Sequence, residues 1–299
     1  MIDPTSEKRT QSDRSVVFHL DDIGMCQSSV SAFETIHRSS RPVSASVMAP
    51  CPWLPEAAER LSGADLGVHL TLISEWPGYR WRPISNPSPD SGLVDSAGYL
   101  PSNLLDLVER ADADAVEREL AAQLLAVKAL GVDVTHLDCH LFAALYDRFV
   151  DSYRELAVRH ELPALLGGAE VGSSLETLRF GAPLFAGIAM MPLTEHAGRF
   201  ERAATLLDDF PPGLSCMIFH PANETPELRT ICDDWRARVA DFELLSSAEW
   251  WHHVEACGVR PVRYVDIRKR MRESLYGSPL SQLRVDSDEL ESATGRSGT

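Results

Sequence analysis

Strand-like and helix-like segments alternate about seven times along this chain, with no internal repeat and no linker between globular halves. Short apolar runs such as Val16-Val17-Phe18 and the unbroken Leu214-Ser215-Cys216-Met217-Ile218-Phe219 suit strands buried on both faces of a parallel sheet. Between the strands lie helical stripes: Val30, Phe33 and Ile36, then Val116, Leu120, Leu124 and Val127, the second opened by Asp112 or Asp114 and closed by Gly131. The alternation predicts an α/β fold, a distorted (β/α) TIM-like barrel of about seven parallel strands. Strands are expected near 16–18, 43–48, 66–72, 132–140, 214–219 and, last, 262–267. The single barrel domain is expected over 15–270, after a disordered leader at 1–14 and before a polar, disordered tail at 271–299. Residues 161–200, broken by Gly167-Gly168, Gly172 and Gly181-Ala182-Pro183, are expected to form loops over the site.

Chemistry-bearing residues cluster where those strands end. Asp21-Asp22 follows the first strand, and two adjacent carboxylates there are costly to bury without compensation. Where the strand breaks into a turn, eased by Gly24, both carboxylates can reach one site from different sides: one to bind a metal, the other to handle a proton. His69 sits in Leu66-Gly67-Val68-His69-Leu70-Thr71-Leu72, on the face opposite Val68, Leu70 and Leu72. His136, Asp138 and His140 lie at i, i+2 and i+4, so an extended chain points all three the same way. His220 ends the central apolar strand. In barrel enzymes this C-terminal rim is where chemistry sits.

The irregular segment 73–103 is long for a connection inside a compact domain and carries Trp76, Tyr79 and Trp81 among Arg80 and Arg82. Flat rings there either stack on the apolar faces of sugars or pin the loop to the core. The net charge of −16 makes nucleic acid and anionic membranes poor partners and favours a neutral or cationic small molecule. No run of about 18 apolar residues is present, so no membrane span is expected. Six scattered cysteines without a CxxC pair argue for reduced thiols and a cytoplasmic location.

Asp21-Asp22-Ile23-Gly24, Gly67-Val68-His69-Leu70-Thr71-Leu72, Thr135-His136-Leu137-Asp138-Cys139-His140 and His220-Pro221-Ala222 occur in the order and approximate spacing of the YdjC/ChbG family of carbohydrate deacetylases. The resemblance covers about Val16 to Ile267. It implies a metal-dependent hydrolase that removes an acetyl group from an N-acetylated sugar, on a distorted barrel and often as a homodimer. It implies one divalent ion (zinc, magnesium or manganese) held by Asp22, His69 and His140, with Asp21 as general base and His220 as general acid. His19, Trp76, Trp81, His136 and Asp138 are the candidates for contacts to the substrate or behind the ligands. The family usually has Asn where this chain has His19, and its Asp-Ser-His-x-His-Val-His stretch is here Asp138-Cys139-His140-Leu141-Phe142-Ala143-Ala144. Two alternatives stand beside this expectation: a metal-dependent hydrolase of an ester or non-sugar amide, and a non-catalytic sugar- or metabolite-binding protein.

Overall fold

A computed structural model describes residues 14–166 and 185–277. Residues 1–13 of the leader, residues 167–184 of the glycine-broken stretch and the tail beyond Gly277 lie outside the described residues. Among the described residues, seven strands form one parallel sheet: β1 (Arg14–Ile23), β2 (Val43–Val47), β3 (Leu66–Leu70), β4 (Leu137–Cys139), β5 (Gly187–Met190), β6 (Gly213–Phe219) and β7 (Arg260–Pro261). Their order is β4-β3-β2-β1-β6-β5, with β7 paired to β1. Beyond β4 a single parallel bridge joins Leu137 to Ala164. The sheet curls into a half-barrel with helices packed around it, the TIM-like α/β arrangement that the alternation predicts.

Alternation along the strands sorts side chains between two environments. Val16, Phe18 and Leu20 of β1 face outward into the large core, with Val68 and Leu70 of β3 and Phe219 of β6. The helices Gln27–Arg38 and Ala113–Ala129 bury Val30, Phe33 and Ile36, and Val116, Leu120, Leu124 and Val127, against it. Val17, Cys216 and Ile218 point the other way and form a second, smaller cluster with Tyr264 and Ile267. The interior of the curl is thus apolar at the N-terminal ends of β1 and β6. The next residues of the same parity, His19 and Asp21 on β1 and His220 after β6, make it polar toward the C-terminal ends.

Two expectations need correction. The segment 262–267 is not a strand: β7 stops at Pro261, and a helix begins at Tyr264 and runs to Gly277. Its β-branched start reads as a strand, but Tyr264, Ile267 and Met271 are buried at helical spacing. Two of the first backbone N–H groups are satisfied from elsewhere, Tyr264 N donating to Ser44 Oγ and Val265 N to Asp65 Oδ2. The second correction is β5, a short strand within the region expected to form only loops. It is held at the sheet edge by parallel pairing of Gly187–Met190 with Ser215–Ile218.

Candidate metal and active site

The register of β1 against β2 explains how two adjacent carboxylates reach one place. Leu20 pairs with Ala45 and Ile23 with Val47, so β1 carries one residue more than its partner. That bulge falls on Asp21-Asp22, and Asp22 takes a φ of 61°. The kink cancels the alternation that would send Asp22 to the opposite face. Gly24 completes the turn at φ +88°.

Asp22 Oδ1 lies 3.3 Å from His69 Nε2 and 3.1 Å from His140 Nδ1, and the two imidazole nitrogens are 3.3 Å apart. Every other heteroatom of the three side chains is held from behind. Arg238 Nη1 donates to Asp22 Oδ2 at 2.7 Å. His69 Nδ1 meets Asp138 Oδ2 at 2.7 Å. His140 Nε2 meets both oxygens of Glu75, at 3.0 and 3.2 Å. Asp22 Oδ1 itself, fully buried, has no hydrogen-bond partner among the described residues. Donors about 2.1 Å from a shared ion sit roughly 3.0–3.4 Å from one another, so the spacing and the donor types fit a divalent cation.

The electrostatics agree. Burial lowers the His140 pKa, but the Glu75 and Asp22 carboxylates outweigh it and raise it to about 9. Burial likewise lowers that of His69, and Asp138 and Asp21 push it well above its ordinary value. Burial raises the Asp22 carboxyl, yet Arg238 and His140 hold it well below the usual range. The buried carboxylates around the point the three donors share favour positive charge there.

Two further triads bring donor atoms within 4.8 Å: His19, His136 and Asp138, and Asp21, His69 and Asp138. Both depend on Asp138, whose Oδ2 already faces His69 Nδ1, His19 Nε2 at 2.9 Å and Ser46 Oγ at 3.0 Å. In Asp22, His69 and His140 the remaining atoms are all tied back, leaving three donors pointed inward beside Asp21 and His220; in the first of the other triads His19 Nδ1, His136 Nε2 and Asp138 Oδ1 likewise have no hydrogen-bond partner among the described residues.

Asp21 flanks this set. Its Oδ2 is 3.8 Å from His220 Nε2 and 3.9 Å from His69 Nε2, and its Oδ1 is 2.9 Å from His19 Nε2. The backbone N–H of His220 donates to Asp241 Oδ2 at 2.9 Å, and Arg199 fixes that carboxylate through Nε at 2.7 Å. Burial lowers the His220 pKa to about 4 against the raising effect of Asp22 and Asp21.

The histidines flanking β4 divide. His140 joins the donor set, whereas His136 stacks on Tyr264, centroids 3.7 Å apart. Its Nδ1 meets Thr135 Oγ1 at 2.8 Å. The ring fills the space beside Gly67, where a Cβ would lie 2.4 Å from His136 Nε2. Asp138 backs His69. Trp81 is buried, its Nε1 donates to Ile73 O at 2.8 Å, and its ring packs edge-on against Trp76 and Tyr79. Trp76 is half-buried, with the Arg238 guanidinium 5.6 Å from its ring centroid.

Glu75, Arg238, Ser46 and Asp241 escape sequence reasoning. Glu75 shares the parity of His69 along the chain, the one signal that could have found it. Arg238 lies in the helix Trp235–Ser246, where Asp234 four residues earlier offers a local partner and hides the distant one.

Fold and centre together define a class: a parallel α/β half-barrel with an Asp-His-His set, able to hold a divalent cation, at the C-terminal ends of its strands. The sequence matches the YdjC-like protein family over residues 15–256, and the chain belongs to that family. A carbohydrate deacetylase of Thermus thermophilus is 36% identical over 248 residues, 79% of this chain and 88% of the relative. Carbohydrate deacetylase 1 of Listeria innocua is 22% identical over 78% of this chain and 92% of its own length. A proposed cellobiose-phosphate cleavage protein of Enterococcus faecalis has the same fold, with a TM-score of 0.71 at 22% identity over 86% of this chain and 99% of its own. Among the described residues, no helix is long and apolar enough to cross a membrane.

Proposed function

We propose that the chain is a carbohydrate deacetylase that hydrolyses the N-acetyl amide of an amino sugar, using a divalent cation held by Asp22, His69 and His140. The observation that carries this assignment is the convergence of those three donors to within 3.1–3.3 Å beside a carboxylate and an imidazole, Asp21 and His220, that lie outside the set. When bound, the ion supplies Lewis acidity toward the amide carbonyl and toward water.

The side chains supply the proton transfers. Asp21 takes the proton of the attacking water at Oδ2, the oxygen turned toward the donor set. His220, with its pKa near 4, is a neutral imidazole at neutral pH, so it must gain the proton it passes to the leaving amine. Asp21 Oδ2, 3.8 Å away, is the group placed to supply it. The C–N bond breaks, the water oxygen and its second proton end in acetic acid, which releases that proton to solvent as acetate, and the amine leaves with the relayed proton. Transfer by positioned groups of this kind typically contributes about 10²–10⁴ in rate. Trp76, half-buried beside Arg238, is the ring of the 73–103 segment that we assign to a sugar face; Trp81 braces it from the core.

Acetate release from N-acetylglucosamine oligomers, measured before chelation, after it and after divalent ions are restored, tests the assignment. Release that stops and returns supports it. Turnover of aryl esters alone moves the chain to the esterase alternative, and sugar binding without release moves it to the binding-protein alternative.

A further inference from the structure

The proposed base does not stand alone. His19 Nε2 lies 2.9 Å from Asp21 Oδ1 and 2.9 Å from Asp138 Oδ2. Asp138 Oδ2 also meets His69 Nδ1 at 2.7 Å and accepts from Ser46 Oγ at 3.0 Å. Four side chains, Asp21, His19, Asp138 and His69, therefore form one line of close polar contacts from the base to a member of the cation-binding set, in which Asp21 Oδ1 has the 2.9 Å approach of His19 Nε2 as an ion-pair contact and no hydrogen bond among the described residues.

The His19 ring has little freedom. It is fully buried, with His136 edge-on at 4.9 Å and Tyr264 at 5.5 Å between centroids. Asp21, in contrast, sits where the register of β1 breaks, so regular strand geometry does not fix its side chain. Without His19, Asp21 Oδ1 would lose its 2.9 Å contact, whereas Asp138 Oδ2 would keep Ser46 Oγ and His69 Nδ1.

We propose that His19 is a positioning residue for deacetylation: it anchors Asp21 through Oδ1, leaves Oδ2 as the oxygen presented to water, and ties the place of the base to that of His69 through Asp138. This role rests on the deacetylase function proposed above. It differs from a packing role because the anchoring atom is Nε2, which a similarly sized apolar side chain lacks. A base displaced by about 1 Å can cost on the order of 10² in rate while substrate binding is unchanged.

The test compares wild type, His19→Leu and His19→Gln with an N-acetylglucosamine oligomer, reading kcat, KM, bound metal per chain and melting temperature. The Gln amide nitrogen reaches the position of His Nε2 and restores one donor. His19→Leu is expected to keep its metal and its KM within about twofold while kcat falls about 100-fold, with His19→Gln recovering about tenfold of the loss. If His19→Leu does not fold, a several-fold loss of kcat at constant KM in His19→Gln supports the role. Wild-type kcat in a folded variant, or loss of metal in step with kcat, overturns it. Absence of acetate release by the wild type refutes the deacetylase function instead; release by wild type and His19→Leu at equal rates refutes the role of His19 alone.

Discussion

Both oxygens of the Glu75 carboxylate lie within reach of His140 Nε2, at 3.0 and 3.2 Å, while the opposite nitrogen of that ring faces Asp22. Glu75 reaches it from the 73–103 segment, which is pinned elsewhere by Glu119 of the helix Ala113–Ala129, accepting from Ile84 N and Ser85 N, while Gln123 of that helix pairs with both backbone groups of Thr71 just before the segment. A carboxylate behind a ligand imidazole fixes its tautomer and raises its basicity. Glu75→Gln keeps an acceptor and removes the charge. Metal affinity, measured by calorimetric titration of the chelator-treated protein, should fall about 10- to 100-fold.

Asp21→Asn should separate ion binding from turnover. Asp21 contributes no atom to the Asp22, His69 and His140 set, so one ion per chain should remain by elemental analysis. Loss of the base should lower kcat by about 10²–10⁴. Near-normal kcat would remove Asp21 from its role.

Metal uptake should strengthen as pH rises. In the metal-free protein the His140 pKa is about 9 and that of His69 is raised well above its ordinary value, so both imidazoles carry protons at neutral pH that an ion must displace. Below pH 9 each unit should weaken apparent affinity about tenfold per proton displaced, and above it the dependence on His140 should level off. An affinity constant across pH 6 to 9 would contradict the charge balance described for the centre.

Trp81→Ala should act on stability before it acts on substrate. The ring is buried and its N–H is satisfied by Ile73 O, so truncation leaves a cavity beneath Trp76 and Tyr79. A loss of about 3–5 kcal/mol is expected by denaturant unfolding. Trp76→Ala, at a half-buried ring, should cost less stability and raise KM.

Much of the architecture is legible in the sequence because period and burial coincide. Val16-Val17-Phe18 and Leu214–Phe219 are apolar on both faces since both faces of the half-barrel are covered, and the helical stripe of Val116, Leu120, Leu124 and Val127 faces the sheet. The end of the chain misleads because Val262, Val265 and Ile267 suit either period, and the Ser44 and Asp65 bonds to Tyr264 and Val265 come from distant segments. The polar centre is legible where parity suffices, as for His69, Asp138 and His140. It is illegible where tertiary packing alone decides: Arg238 reaches Asp22 from a helix far along the chain, and the split between His136 and His140 depends on the gap that Gly67 leaves for a ring.

Diffraction from crystals soaked with a divalent metal, recorded at its absorption edge, tests the cation-binding centre most directly. An anomalous peak bounded by Asp22 Oδ1, His69 Nε2 and His140 Nδ1 is the expected result. A peak instead among His19, His136 and Asp138, or no peak within reach of Asp22, would contradict it.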